Sequence, residues 1–169
     1  MTPVQILVSQ FQAALAMLNE AITACPDAIW NDPGDKVKFW HIAYHALFYT
    51  HFYLQESERT FVPWSKHREG YNFIGQPPQG SPSTCDADPY DKNTILEYLD
   101  LCRRQVAERV PQLDPDGNSG FYWLPMSKLE LQIYTIRHIQ QHTGELMERL
   151  GARAGIEIDW VGVRHESHT

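Results

Sequence analysis

The strongest constraint on the fold of this 169-residue chain is the spacing of its apolar residues. In four segments they recur at steps of three and four residues, which places them on one face of an α-helix. Each segment also opens with residues suited to begin a helix. The sequence therefore predicts four helices. They run from Pro3 to about Ala24, from about Asp35 to about Gln55, from 88–91 to about Val110, and from 127–130 to Leu150, with Gly151 expected to end the last.

Four helices of this length predict an all-α fold, a four-helix bundle with a long loop between helices 2 and 3. The whole chain, residues 1–169, is expected to form one domain. The long loop, residues 57–87, is rich in Pro and Gly but also carries Phe61, Trp64 and Tyr71. These aromatic residues lead us to expect that the loop packs on the bundle.

Composition argues against several classes of function. The net charge is −7 and Lys and Arg are not clustered, so we expect no nucleic-acid partner. No apolar run reaches about 18 residues, so we expect no membrane partner. Cys25, Cys85 and Cys102 have neither metal-site nor redox-motif spacing, and the N-terminus does not read as a signal peptide. We therefore predict a cytoplasmic protein with reduced thiols.

Two histidines on the predicted fourth helix suggest a metal site. His138 and His142 are four residues apart, about 40° around a helix, so both rings project from one face. Two half-exposed histidines without a ligand role are the alternative. Periodicity, however, places both on the core-facing side, where imidazoles cost free energy unless they find partners. A metal ion would satisfy one nitrogen of each ring.

The predicted second helix offers a third ligand. His41 and His45 are also four residues apart in a strongly aromatic segment, and periodicity does not choose between them. His51 lies about 120° around the helix from His45 and is expected to be a core or interface residue.

Two motifs resemble the DinB/YfiT-like superfamily of candidate metal-dependent enzymes. They are WHIAYHALFY at residues 40–49 and RHIQQHTGEL at residues 137–146. The resemblance implies a four-helix bundle that holds one divalent ion, zinc or nickel, through His45, His138 and His142. It also implies relatives that act as transferases and isomerases dependent on low-molecular-weight thiols. The long loop departs from shorter members, so substrate contacts are not carried over.

Three neutral imidazoles leave an open position on the ion, which suits thiol S-transfer or hydrolysis of a small-molecule substrate. The substrate or co-substrate could be a low-molecular-weight thiol. Candidate catalytic residues are Glu145, Tyr134 and His67. The alternative for Glu145 is a surface charge, for Tyr134 core packing, and for His67 a surface position.

Two non-enzymatic readings stand beside this one. In the first, the protein is a stress-related bundle whose metal ion has only a structural role, with Glu145 as a fourth ligand that closes the site. In the second, the aromatic second helix and the tail around Trp160 form an interaction surface that gives a homodimer.

Overall fold

The computed structural model describes residues 2–75 and 88–164, and within these ranges it contains helices and no β-strand. This confirms the predicted all-α class. None of the helices in these ranges is long and apolar enough to cross a lipid bilayer. The α-helices are α1 (Pro3–Ala24), α2 (Asp27–Trp30), α3 (Phe39–Tyr53), α4 (Lys92–Arg109) and α5 (Lys128–Ala154), with short 3₁₀ turns at Glu58–Thr60 and Val110–Gln112.

Three of the helix starts follow from side-chain caps that the sequence contains. Thr2 and Gln5 form a reciprocal capping box at the start of α1. Asp91 accepts a 2.7 Å hydrogen bond from the backbone N–H of Thr94 at the start of α4. Ser127 caps α5 in the same way. Each such cap stabilises its helix by about 1 kcal/mol, which explains why these starts are predictable.

The predicted start of the second long helix near Asp35 is wrong, because α3 begins at Phe39. The ammonium group of Lys38 donates to the backbone carbonyls of Asp32, Pro33 and Asp35 at 2.8, 3.2 and 2.7 Å. These bonds hold the preceding residues in a turn that cannot join the helix. The one-turn helix α2 was also not predicted.

The predicted end of the last helix at Gly151 is also wrong, because α5 continues to Ala154. The chain reverses instead at Gly155, whose φ of 65° lies in the left-handed region that favours glycine. The N–H of Gly155 donates to the carbonyl of Gly151 at 3.1 Å. The last turn is further held because Arg153 pairs with Asp35.

The four long helices pack so that α1 and α3 each contact both α4 and α5. The aromatic α3 is buried on most sides, as its composition predicts. A fully buried large apolar side chain contributes about 1.5–3 kcal/mol, so this helix is a main source of stability. Among the largest fully buried side chains are Phe11, Trp40, Tyr44 and Tyr98.

The described part of the long loop lies against the helices, as expected. Phe61, Trp64 and Tyr71 pack on the main core. The indole of Trp64 stacks on Tyr98 with ring centroids 4.4 Å apart. Residues 76–87 lie outside the described ranges. The described part of the loop therefore adds aromatic side chains to the core.

The connection that precedes α5 is tied to the end of α3. The buried ammonium group of Lys128 donates to the backbone carbonyls of Gln55, Glu56 and Ser119. Gly120 has a φ of 87°, and a Cβ there would lie 1.9 Å from the carbonyl oxygen of Glu56. Only glycine permits this close approach.

Candidate metal centre

Three imidazole nitrogens converge where α3 packs against α5. The Nε2 atom of His138 lies 3.1 Å from Nε2 of His45 and 3.2 Å from Nε2 of His142. One ring nitrogen from each of the three residues lies within 4.8 Å of the other two. Two helices thus bring three ligand-type atoms to one point.

These separations fit coordination to one ion. Two nitrogens that each lie about 2.0–2.1 Å from a tetrahedral ion are about 3.3–3.4 Å apart. The observed 3.1 and 3.2 Å differ from that by a few tenths of an ångström, within reach of small side-chain rotations. The third pair, His45 and His142, has ring nitrogens within 4.8 Å, so the three-histidine cluster is compatible with metal binding.

The outer nitrogens of two of these rings have partners that fix the position of the proton. Nδ1 of His45 lies 2.7 Å from the backbone carbonyl oxygen of Asn72, and Nδ1 of His142 lies 3.2 Å from Oε2 of Glu145. Because a carbonyl and a carboxylate only accept hydrogen bonds, both Nδ1 atoms carry the proton. In the neutral rings the Nε2 lone pairs of His45 and His142 then face the centre of the cluster.

His138 cannot satisfy both lone pairs. Its Nε2 can donate one hydrogen at most, so either His45 or His142 keeps an unpaired acceptor. Its own Nδ1 is buried without a hydrogen-bond partner among the described residues. A cation that accepts all three Nε2 lone pairs removes this conflict at the centre. The set of three imidazoles suits zinc, nickel, copper and iron alike.

Burial keeps the rings of His45 and His138 in the form that binds metal. Desolvation lowers the pKa of His45 to about 3 and the pKa of His138 to about 4, with a smaller contribution from the neighbouring imidazoles. Both rings are therefore neutral near pH 7, and neutral imidazole is the form that coordinates metal. His142 is buried as well, with 5 % of its surface exposed.

His41, which periodicity left open as a ligand, lies outside the cluster. Its Nε2 is 2.8 Å from the backbone carbonyl oxygen of Tyr71, and its ring stacks on Trp40 with centroids 5.0 Å apart. The loop residues Tyr71 and Asn72 thus bond two successive histidines of α3 through their carbonyl groups.

Glu145 lies on the outer side of His142, away from the Nε2 atoms. Its second carboxylate oxygen is 3.9 Å from the guanidinium of Arg149. Arg149 in turn donates to Asp35 at 3.1 Å and to the backbone carbonyl of Val37 at 3.0 Å. The carboxylate beside His142 is therefore connected to the segment that precedes α3.

The two other candidate catalytic residues occupy different places. Tyr134 lies one turn before His138 and lines with it a cleft of about 430 Å³. His67 is instead bonded to the core, with Nδ1 2.6 Å from the hydroxyl of Tyr44 and its ring 5.3 Å from that of Phe48. Burial lowers the pKa of His67. The structure thus brings Tyr134, but not His67, beside the cluster.

Sequence reasoning did not find the outer partners Asn72 and Arg149. Asn72 acts through its backbone carbonyl, which every residue has, so no residue type signals it. Arg149 meets Asp35 across more than 100 positions of sequence, and one sequence gives no sign of that contact.

A chain whose described residues form helices and bring three imidazoles together belongs to the class of helical proteins with a site suited to a divalent metal ion. More specifically, the chain belongs to the DinB superfamily, because the model of that superfamily matches residues 10–146, a range that contains His45, His138 and His142. No curated protein and no solved structure gives a match. The family named from the two histidine motifs is thereby confirmed.

Proposed function

We propose that this protein is a divalent-metal-dependent enzyme whose ion, zinc or nickel, is held by His45, His138 and His142. The observation that carries the proposal is the direction of the lone pairs. Hydrogen bonds to Asn72 and Glu145 direct two Nε2 lone pairs at a common centre, where His138 can satisfy only one of them.

Bound there, a divalent ion lowers the pKa of a coordinated water or thiol, so thiol S-transfer and hydrolysis both lie within its chemistry. Among the described residues, the cluster of candidate ligands contains these three histidines and no carboxylate or cysteine. A coordination position is therefore left for a small-molecule substrate, and a low-molecular-weight thiol is our first candidate. Burial keeps the rings of His45 and His138 neutral, which is the form that coordinates a metal ion.

We assign different tasks to the three candidate catalytic residues. Glu145 positions the ring of His142 through Nδ1, because its carboxylate lies on the outer side of that ring. Tyr134 borders the substrate cleft beside His138. His67 anchors the long loop on Tyr44 and takes no part in the reaction.

Four further features belong to the same proposal. The four long helices form a four-helix bundle with a long loop between the second and third of them, and residues 1–169 form one domain. We also propose a cytoplasmic homodimer. The free, buried thiols of Cys25 and Cys102 accord with a reducing compartment.

The direct test is the metal content of the purified protein after dialysis against zinc or nickel at pH 7.5. We expect about one ion per chain, and none after the double substitution His138→Ala with His142→Ala, because two of the three ligands are then lost. Inductively coupled plasma mass spectrometry measures both.

His41→Ala is the matched control, since it removes a buried histidine of α3 that lies one turn from His45. It should keep the full metal content. A wild-type protein without metal, or a His41→Ala variant that loses it, would contradict the proposal. Inert cobalt spectra on addition of small thiols or hydroxamates would instead favour a closed, structural site.

A further inference from the structure

We propose that the substrate of this site carries a flat apolar group, which binds against a layer of three tyrosines beside the histidines. This tyrosine layer consists of Tyr49, Tyr53 and Tyr134. The inference rests on the proposed function, because it concerns the substrate of the same metal site.

The tyrosine layer lies one helical turn from the three histidines. Tyr49 follows His45 by one turn on α3, and Tyr134 precedes His138 by one turn on α5. The ring of Tyr49 lies 5.7 Å from that of His138 and 5.6 Å from that of Tyr53. Tyr53 lies 6.0 Å from Tyr134. The aromatic surface is thus continuous with the candidate ligands.

Part of this aromatic surface is open to solvent. Tyr53 is buried in a small cluster that is separate from the main core, whereas Tyr49 and Tyr134 pack on that cluster and remain partly exposed. Tyr134 lines the cleft that also reaches His138 and Arg137. Gln140 and Gln141 also line this cleft. A molecule in the cleft therefore contacts the ring of Tyr134 beside His138.

The layer is supported from behind by rings that are themselves held in place. Phe121 packs edge-on against Tyr53 at 5.1 Å and lies 4.9 Å from Phe52. The segment that carries Phe121 is fixed by the buried ammonium of Lys128 and by the close approach at Gly120. Because the side chains of the tyrosine layer are already held in place, they lose little conformational freedom when a flat group binds.

The test uses two hydroxamates that share one metal-binding head, benzohydroxamate and acetohydroxamate. Each is titrated into the full-length cobalt-loaded protein and followed by visible absorption. The preference is the Kd for acetohydroxamate divided by the Kd for benzohydroxamate. We expect this ratio to be about tenfold larger for the wild type than for Tyr134→Ala, which is the effect of one aromatic contact with its buried area. Tyr134→Phe should keep the preference.

Tyr122→Ala is the control, because Tyr122 is 88 % exposed and lies outside the tyrosine layer. It should keep the wild-type preference. Tyr49→Leu provides a second variant should Tyr134→Ala fail to fold, which circular dichroism reports. If neither substitution lowers the preference, the inference is overturned while the proposed function stands. If neither hydroxamate changes the cobalt spectrum, the proposed function itself fails.

Discussion

Two histidines of α3 show what separates a candidate metal ligand from a core residue. Burial lowers the pKa of His45 to about 3 and that of His51 to about 4. The Nε2 atom of His45 faces another imidazole nitrogen at 3.1 Å. The Nδ1 atom of His51 instead faces the hydroxyl of Tyr98 at 3.3 Å, and its ring packs against Phe61.

The difference lies in the partner of each ring rather than in burial. A phenol can donate a hydrogen bond, so the acceptor nitrogen of His51 is satisfied within the protein. His45 and His142 present two lone pairs to a single possible donor, Nε2 of His138. A depressed pKa alone therefore does not identify a metal site, whereas opposed lone pairs with fixed tautomers indicate one.

Loss of His45 should lower the metal affinity more than any other change considered below. His45→Ala should weaken zinc binding by more than about 100-fold, because loss of even an outer partner of a ligand costs about 10–100-fold. His51→Phe should leave zinc affinity unchanged. Competition with a chromophoric chelator at pH 7.5 measures both. Equal losses of zinc affinity in the two variants would mean that His51 contributes to metal binding as much as His45 does.

The next effect concerns the pH dependence of stability and isolates His51. Its pKa is about 4 in the folded chain, lowered mainly by burial and then by Arg109, against an ordinary value of 6.5. Between these values the unfolded chain binds a proton that the folded chain does not, so stability is complete above pH 6.5 and falls towards pH 4. At pH 5 the expected loss is about 2 kcal/mol.

Urea denaturation of metal-free wild type and His51→Phe at pH 7.5 and pH 5 measures this loss. Between the two pH values, the wild type should lose about 2 kcal/mol more than the variant. Zinc should leave this difference intact, because it does not bind His51. Parallel pH profiles would mean that His51 is already solvated in the folded state and is not a buried core residue.

Local chemistry explains which parts of the fold and site the sequence predicts. Thr2, Asp91 and Ser127 cap their own helices, so those starts are visible in the sequence. The convergence of His138 and His142 follows from helical spacing within one segment. Both depend on residues a few positions apart, where the backbone fixes the geometry.

Contacts between distant segments explain what the sequence does not predict. Whether His41 or His45 joins the cluster depends on which turn of α3 lies level with His138 of α5, a contact between residues 93 positions apart in the sequence. The late start of α3 depends on three backbone carbonyls that bond Lys38. Backbone acceptors have no sequence signature, so these features emerge only in three dimensions.

A weaker effect is expected at the outer nitrogen of His142. Nδ1 of His142 meets a carboxylate, Glu145, where Nδ1 of His51 meets a neutral phenol. Glu145→Gln keeps an acceptor oxygen but removes the charge that strengthens the ligand, so zinc affinity should fall by about tenfold. Glu148→Gln makes the same charge change at an exposed position of α5 and should have no such effect. Chelator competition again provides the measurement. A loss in Glu145→Gln as large as that in His45→Ala would make the carboxylate a direct ligand, and the site would then be closed and structural rather than catalytic.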